Sequence, residues 1–305
     1  MTDPKDKNPL YRGPGQTRDD ARGPRPPRRD DRQGPRMPNR AERAAPRGNE
    51  PDRQEEMRPA KPKEFRIYGL NACVAAFKKR PESVRKLWLL ESRIPKLQEL
   101  LAFCVKNRIG YNVVENEDLE KLTGSAHHEG VCLALLPQQE LNLSQWLMNA
   151  PAGGCLLLWL DGVGNPHNLG AIMRSAAHFG VQAILLPKAS ALSHSGAASR
   201  VAEGGAEHVP LIRLGRTDNA IAQLASAGFT LVSTVVRGGN DVFRSALPAR
   251  CVMVMGAEQT GVDSELIAAS RLRVEVPGTG QVESLNVSAA AAVLLAEWRR
   301  QNGAT

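Results

Sequence analysis

The chain lacks any apolar run close to the roughly 20 residues that a membrane-spanning helix needs. It also lacks a charged start followed by an apolar stretch, so no secretory leader is read and a cytoplasmic protein is expected. Its five cysteines, Cys73, Cys104, Cys132, Cys155 and Cys251, are odd in number and form no C-x-x-C pair. That pattern argues against a disulfide framework and against a zinc site, so no metal is expected. Each lies among apolar residues and is read as a buried thiol. Several catalytic signatures are missing too. There is no G-x-x-x-x-G-K-[ST] and no G-x-S-x-G, and after Gly162 and Gly164 the third glycine of a dinucleotide fingerprint is replaced by His167. These absences remove P-loop enzymes, dinucleotide enzymes and serine hydrolases of that type.

What is present is unevenly distributed. Residues 1–63 hold 17 Lys and Arg against 11 Asp and Glu, and 12 of the chain's 21 prolines. A segment with so few large apolar residues cannot bury enough surface to offset the entropy of ordering, so it is read as a disordered basic arm. Arginine runs such as GPRPPRRDDRQGPR suit a phosphate backbone, bound through counterion release; composition alone fits a solubilising tail equally well. Residues 137–305 carry 12 basic and 12 acidic residues and read as an ordinary globular unit.

Residues 64–137 form a first folded unit. Helices are expected over 71–79 and 94–107, the second with apolar residues at Leu97, Leu100, Leu101, Cys104 and Val105, near the spacing of an amphipathic helix. Strands are expected over 84–90, 111–114 and 130–136, giving a small α/β domain. His127 and His128 point different ways, make a poor metal site and read as an exposed turn. Residues 138–153 read as a linker with one short helix over 141–148.

From residue 154 to 305, strand and helix signals alternate. Continuous apolar runs at 155–160, 183–186, 229–236, 251–255 and 273–276, with a weaker one at 211–214, suit a parallel sheet covered on both faces. Helices are expected over 169–179, 219–227, 264–269 and 288–300, which makes an α/β architecture. Ligands of such sheets bind in loops at the carboxyl ends of the strands, and three of those loops are unusual. DGVGNPHNLGAIMRS (161–175) places Asn168 at or near a helix start, where it reads as a cap. Gly170 and Arg174 are four apart on one helix face, with Arg174 leaning back towards the loop of Asn168. VMVMGAEQTGV (252–262) ends a strand in Gly256, which admits a close backbone approach, followed by Glu258. PGTGQVESLNVSAAAA (277–292) puts Ser284 and Asn286 two apart, just before an Ala-rich helix. Taken singly, each admits a plain reading: a surface arginine, a turn, a helix cap.

Together, N-L-G-A-x-x-R-S, V-M-G-A-E-x-x-G and S-L-N-V-S resemble, in order and spacing, the three signature motifs of the SpoU (TrmH-type) ribose methyltransferases of the SPOUT superfamily. YGLNAC near Tyr68 resembles the family's N-terminal RNA-binding domain, and VAEGGAEHVPLIR (201–213) resembles the guanosine-2′-O branch acting on large-subunit rRNA. The resemblance spans residues 65–300; the arm has no counterpart in it. It implies a trefoil-knotted α/β methyltransferase domain behind a small α/β RNA-binding domain, a homodimer with a shared site, S-adenosylmethionine as donor, and rRNA or tRNA as substrate. By motif match, Gly256, Val276 and Leu285 would contact the donor, and Arg174, Asn168, Glu258, Ser284 and Asn286 fall on functional positions. The family gives Arg174 the role of proton acceptor. A guanidinium with a pKa above about 12 is a poor base, so the role read here is to orient the hydroxyl and stabilise the developing alkoxide. Two residues depart from the pattern: Glu129, where a glutamine is usual and a carboxylate repels phosphate, and Glu203, where a small residue or cysteine is usual.

The alternative from another class is a non-catalytic RNA-binding or ribosome-assembly protein that keeps the fold. For the arm, deletion of residues 1–63 is expected to flatten the salt dependence of RNA affinity and to leave the modified nucleotide unchanged. Affinity against salt and mass mapping of the product check this; a different modified nucleotide would make the arm a specificity element.

Overall fold

A computed structural model describes residues 64–138 and 141–303; the expected disordered arm lies outside the described residues. Chain order begins with β1 (Phe65–Tyr68), α1 (Leu70–Lys79), β2 (Val84–Leu89), α2 (Gln98–Lys106), β3 (Gly110–Val113), α3 (Asn116–Thr123) and β4 (Val131–Leu135). These strands pair in the order β1-β4-β2-β3. The pattern read as one helix over 94–107 divides. Pro95 lacks an N–H and restricts the residue before it, so Glu91–Lys96 is a 3₁₀ segment and the α-helix starts only at Gln98. β1 and α3 were not expected: the first has four residues, and the second has only Leu119 and Leu122 as large apolar residues. His128 is not in an exposed turn. It is buried, and its Nδ1 accepts from the Gly130 N–H at 3.0 Å, while His127 beside it is exposed.

After α4 (Leu143–Met148) come β5 (Cys155–Leu160), α5 (Pro166–Phe179), β6 (Ala183–Leu186), α6 (Gly196–Ala202), β7 (Leu211–Arg213), α7 (Thr217–Ser226), β8 (Thr230–Thr234), β9 (Asn240–Asp241), β10 (Arg250–Met255), α8 (Ser264–Ala269), β11 (Leu272–Glu275) and α9 (Val287–Asn302). The seven strands form a parallel sheet in the order β7-β6-β5-β10-β8-β11-β9. β5 is buried along its whole length because its side chains enter cores on both faces: Leu156, Leu158 and Leu160 on one, Cys155, Leu157 and Trp159 on the other. Burial pushes the Cys251 thiol up to about 12 and those of Cys132 and Cys155 to about 11, so these are inert thiols. Among the described residues no helix is long and apolar enough to cross a membrane, and no group of three or more His, Cys, Asp or Glu could hold a metal.

The two sheets meet across a polar seam. Arg80 grips Glu207 with two hydrogen bonds, of 2.7 and 3.0 Å, and donates a third to the Leu136 carbonyl; both side chains are nearly buried. Removing one partner of such a pair strands the other charge, typically at about 3–5 kcal/mol. Further along, Arg200 of α6 pairs with Glu129 at 2.8 Å and with Glu203 at 3.8 Å, and Asn71 donates to Glu203 at 2.6 Å. Both family departures therefore sit on one arginine. Glu129 and Glu203 have left-handed φ of 54° and 51°, uncommon for residues with a Cβ. Glu129 also accepts from the Leu70 N–H at 2.9 Å. Its charge is committed to the seam.

Helix α5 lies against α6 at Gly170. A Cβ there would fall 2.5 Å from the Ala198 carbonyl oxygen and 2.7 Å from Val201 Cβ. In an open helix Gly→Ala gains about 1 kcal/mol; here overpacking at a typical cost of about 1–3 kcal/mol opposes it. Gly170→Ala is expected to lower the melting temperature by a few degrees. A rise in a thermal melt would show that α5 and α6 are not in this contact.

Candidate functional site

Three loops converge at the carboxyl ends of neighbouring strands. β5 lies beside β10, β10 beside β8, and β8 beside β11, so residues far apart in sequence meet. Asn286 Nδ2 donates to Glu258 Oε1 at 2.9 Å and to Asn168 Oδ1 at 3.2 Å. Asn168 Nδ2 reaches the same Glu258 oxygen at 3.5 Å, and the Val287 N–H at 3.4 Å. Glu258 thus places a negative charge at the start of α9, where free N–H groups and the helix dipole favour it. Asn286 is itself the cap of α9, its Oδ1 accepting from the Ser288 N–H at 2.9 Å. Asp161 accepts from the Asp263 N–H at 2.8 Å and ties the first loop to the second again.

The cap of α5 is not Asn168. Asn165 accepts from the His167 N–H at 2.8 Å, Pro166 occupies the first helical position, and Asn168 is the third residue of the helix. Proline is preorganised for that first position, which moves the cap three residues earlier and frees the Asn168 side chain for Glu258.

Arg174 stands apart from this cluster. Its Cα faces Gly205, where a Cβ would fall 3.0 Å away, and Gly170 on the same side of α5 faces α6. The expected lean of Arg174 towards the loop of Asn168 brings no hydrogen bond between the two side chains. It is exposed and makes no hydrogen bond or ion pair among the described residues. Ser284 is exposed in the third loop and lines a cavity with Glu258.

That cavity, about 260 Å³, opens at the ends of β8, β10 and β11 and holds Gly256, Val276 and Leu285 in its wall. Its remaining lining includes Val235, Val236 and Ile267, the hydroxyl of Thr260 and the carboxylate of Glu283. No Lys, Arg or His lines it. Apolar walls with two carboxylates and no cation suit a ligand that joins a flat apolar group to positive charge, and S-adenosylmethionine has that character. What approaches Gly256 is its own loop: a Cβ there would fall 2.1 Å from the Gly261 carbonyl carbon, and Ala257 and Gly261 exchange backbone hydrogen bonds of 3.2 and 2.9 Å. Sequence reasoning missed Thr234, Val235 and Val236. Only the strand order, with β8 between β10 and β11, brings them to the cavity, and sequence order gives no signal of it.

Residues 155–296 match the SpoU rRNA Methylase family, and residues 66–141 match the RNA 2′-O ribose methyltransferase substrate-binding family. The chain is 42% identical to the uncharacterized tRNA/rRNA methyltransferase YfiF of Escherichia coli O157:H7, covering 82% of this chain and 72% of that one. It is 33% identical to the 23S rRNA (guanosine-2′-O-)-methyltransferase RlmB of Pseudomonas putida, covering 77% and 96%. Among solved structures, an AdoMet-bound rRNA methyltransferase from Sinorhizobium meliloti superposes with a TM-score of 0.66 at 25% identity, over 78% of this chain and 87% of that one. Matched in both of its folded parts and over most of each relative's length, the chain belongs to the SpoU rRNA methylase family.

Proposed function

We propose that this protein transfers a methyl group from S-adenosylmethionine to a ribose 2′-hydroxyl of rRNA or tRNA, in the cytoplasm. The observation that carries the reading is the junction of Asn168, Glu258 and Asn286 at the mouth of a cavity lined by carboxylates and apolar side chains without a cation. In this reading residues 154–305 hold the chemistry, residues 64–137 bind RNA, residues 138–153 link them and residues 1–63 tether the substrate. The family's trefoil knot is carried over with it. The strand order that brings loops 256–262 and 276–286 to one cavity supports that step.

Bound donor supplies an electrophilic methyl group on a sulfonium. Gly256, Val276 and Leu285 hold it, with Glu258 and Glu283 favouring its positive charge. The chain's remaining task is to align a hydroxyl with that methyl and to stabilise the oxygen as its proton leaves. Asn168, Glu258, Ser284 and Asn286 fix the nucleotide. Arg174 orients the hydroxyl and stabilises the developing alkoxide, with a phosphate or water taking the proton. Among the described residues Arg174 has no hydrogen-bond or ion-pair partner, which supports a homodimer in which it completes the site of a second copy. Titration calorimetry with S-adenosylmethionine tests the donor half. Binding is expected; a chain that bound RNA and no donor would be a scaffold keeping the fold.

Arg174→Ala is expected to abolish transfer and to leave donor affinity within about threefold, because the side chain lies off the cavity. Parallel loss of donor binding would move Arg174 into the donor site. Asn286→Asp separates capping from site building. Aspartate caps a helix as well as asparagine, so a pure cap would keep stability and activity. Here the new carboxylate would face Glu258 and lose both donated bonds. The expected result is a loss of about 1 kcal/mol of stability together with near-complete loss of transfer. The added change Glu258→Gln should restore stability, since an amide can donate to the aspartate, and not activity. A stable, fully active Asn286→Asp protein would reduce this residue to a helix cap.

A further inference from the structure

The small domain's sheet has two unlike faces. One side of its sheet is covered by α1 and α2, which bury Ile67, Leu87 and Leu133. The other side carries the eight residues of α3, packed through Leu119 and Leu122 onto Tyr68, Cys132 and Trp88, and Gly196 of α6, which lies against Tyr68. Beyond α3 the strand register aligns two rungs. Arg66 and Lys86 both lie opposite Ala134, one on each side; Trp88 lies opposite Cys132 on one neighbouring strand and Asn112 on the other. Between these side chains lies a groove open to solvent and rimmed by Arg66, Lys86, Asn112, Asp118 and Lys121. Trp88 forms its floor, half-buried, with Arg66 Cζ 5.5 Å and Lys86 Nζ 5.0 Å from the ring centroid.

The geometry points to a single-stranded RNA contact in this groove, in which an unpaired base stacks on Trp88 and its phosphate is held by Arg66, Lys86 and Lys121. This inference rests on the RNA-methyltransferase reading above and adds to it a named contact outside the methyl-transfer site. Arg66 and Lys86 lie over the indole ring, so a base stacks on Trp88 by taking their place while they turn to its phosphate; an aromatic ring with neighbouring cations is the combination that stacks bases and tracks a phosphodiester chain. A base inside a duplex has no free face to offer, so the groove selects loops, bulges and single strands. The charges speak against the chain's own arm as occupant, since residues 1–63 carry 17 basic against 11 acidic residues and would meet like charge. An apolar protein partner would have to strip water from the same cations without pairing them.

Tryptophan fluorescence of the full chain tests this directly, with oligouridylate and oligoadenylate of about a dozen nucleotides as probes beside an RNA duplex of similar length. Single strands are expected to quench emission and the duplex to do so far less. Trp88→Leu should remove the quench and weaken single-strand affinity about tenfold. Lys86→Glu with Lys121→Glu should weaken affinity as much and lower the salt slope. Donor binding should be unchanged in both proteins. A wild-type protein with no quench, a quench that survives Trp88→Leu, equal quenching by duplex, or unchanged affinity in the lysine variant would each overturn the inference. So would a change in sedimentation without a change in affinity, which would make the face a contact between copies. If the wild-type protein bound no donor, the methyltransferase reading would fail while the fluorescence titration still decided the groove.

Discussion

One carboxylate oxygen holds the methyltransferase end of the molecule together. Glu258 Oε1 accepts from Asn286, Asn168 and the backbone of Val287, and those donors stand on two separate loops, each leaving a different strand. A parallel sheet sends every strand end to one edge, and it leaves the following loops to find their own partners. Here they share one anion. Its negative charge sits at the start of α9, where the helix favours it, and the cluster is exposed to the solvent from which a substrate would come. The cavity wall built from Gly256 to Val262 and from Val276 to Leu285 keeps its shape because its two sides are bonded through this oxygen.

The second constraint is the seam between the sheets. A small RNA-binding domain on a free linker would present RNA at many angles. The nearly buried Arg80–Glu207 pair and the Arg200 cluster remove that freedom. Close backbone approaches do the same: Gly204 lies against Ala75, and Gly196 against Tyr68. The two glutamates that look out of place for a surface that meets phosphate are the counter-charges of Arg200. They hold the domains in register, and the small domain's cations Arg66, Lys86 and Lys121 lie elsewhere, in the groove beside Trp88.

The sequence was most legible where physics is local. The run Cys155–Leu160 forms a strand with the bounds read from it, because six consecutive apolar residues fit only a doubly covered strand. Ala183–Leu186 likewise forms a strand, and Ser264–Ala269 a helix, with the bounds read from them. Short or polar elements such as β1, α3 and α6 were not legible, since four residues, or seven or eight with two apolar side chains or mostly small ones, leave no periodic signal. The site was legible as a set of residues and not as a geometry. Asn168, Glu258 and Asn286 could be named from motifs; that they share one oxygen, and that Arg174 lies outside their cluster, depends on packing across more than a hundred residues of sequence. The same is true of Glu129 and Glu203. Nothing local announces that two left-handed glutamates will share an arginine.

In the proposed reaction the oxygen that receives the methyl group is a ribose 2′-hydroxyl. That hydroxyl is the nucleophile in alkaline cleavage of RNA, so methylating it protects one phosphodiester. Ribosomal and transfer RNA from cells lacking this protein, incubated with it and methyl-labelled S-adenosylmethionine, can be hydrolysed in alkali and resolved by mass. The label is expected in an alkali-resistant dinucleotide carrying one extra methyl on ribose. Label recovered in a fully cleaved mononucleotide with a methylated base, or no label in RNA from a protein that binds the donor, would contradict it.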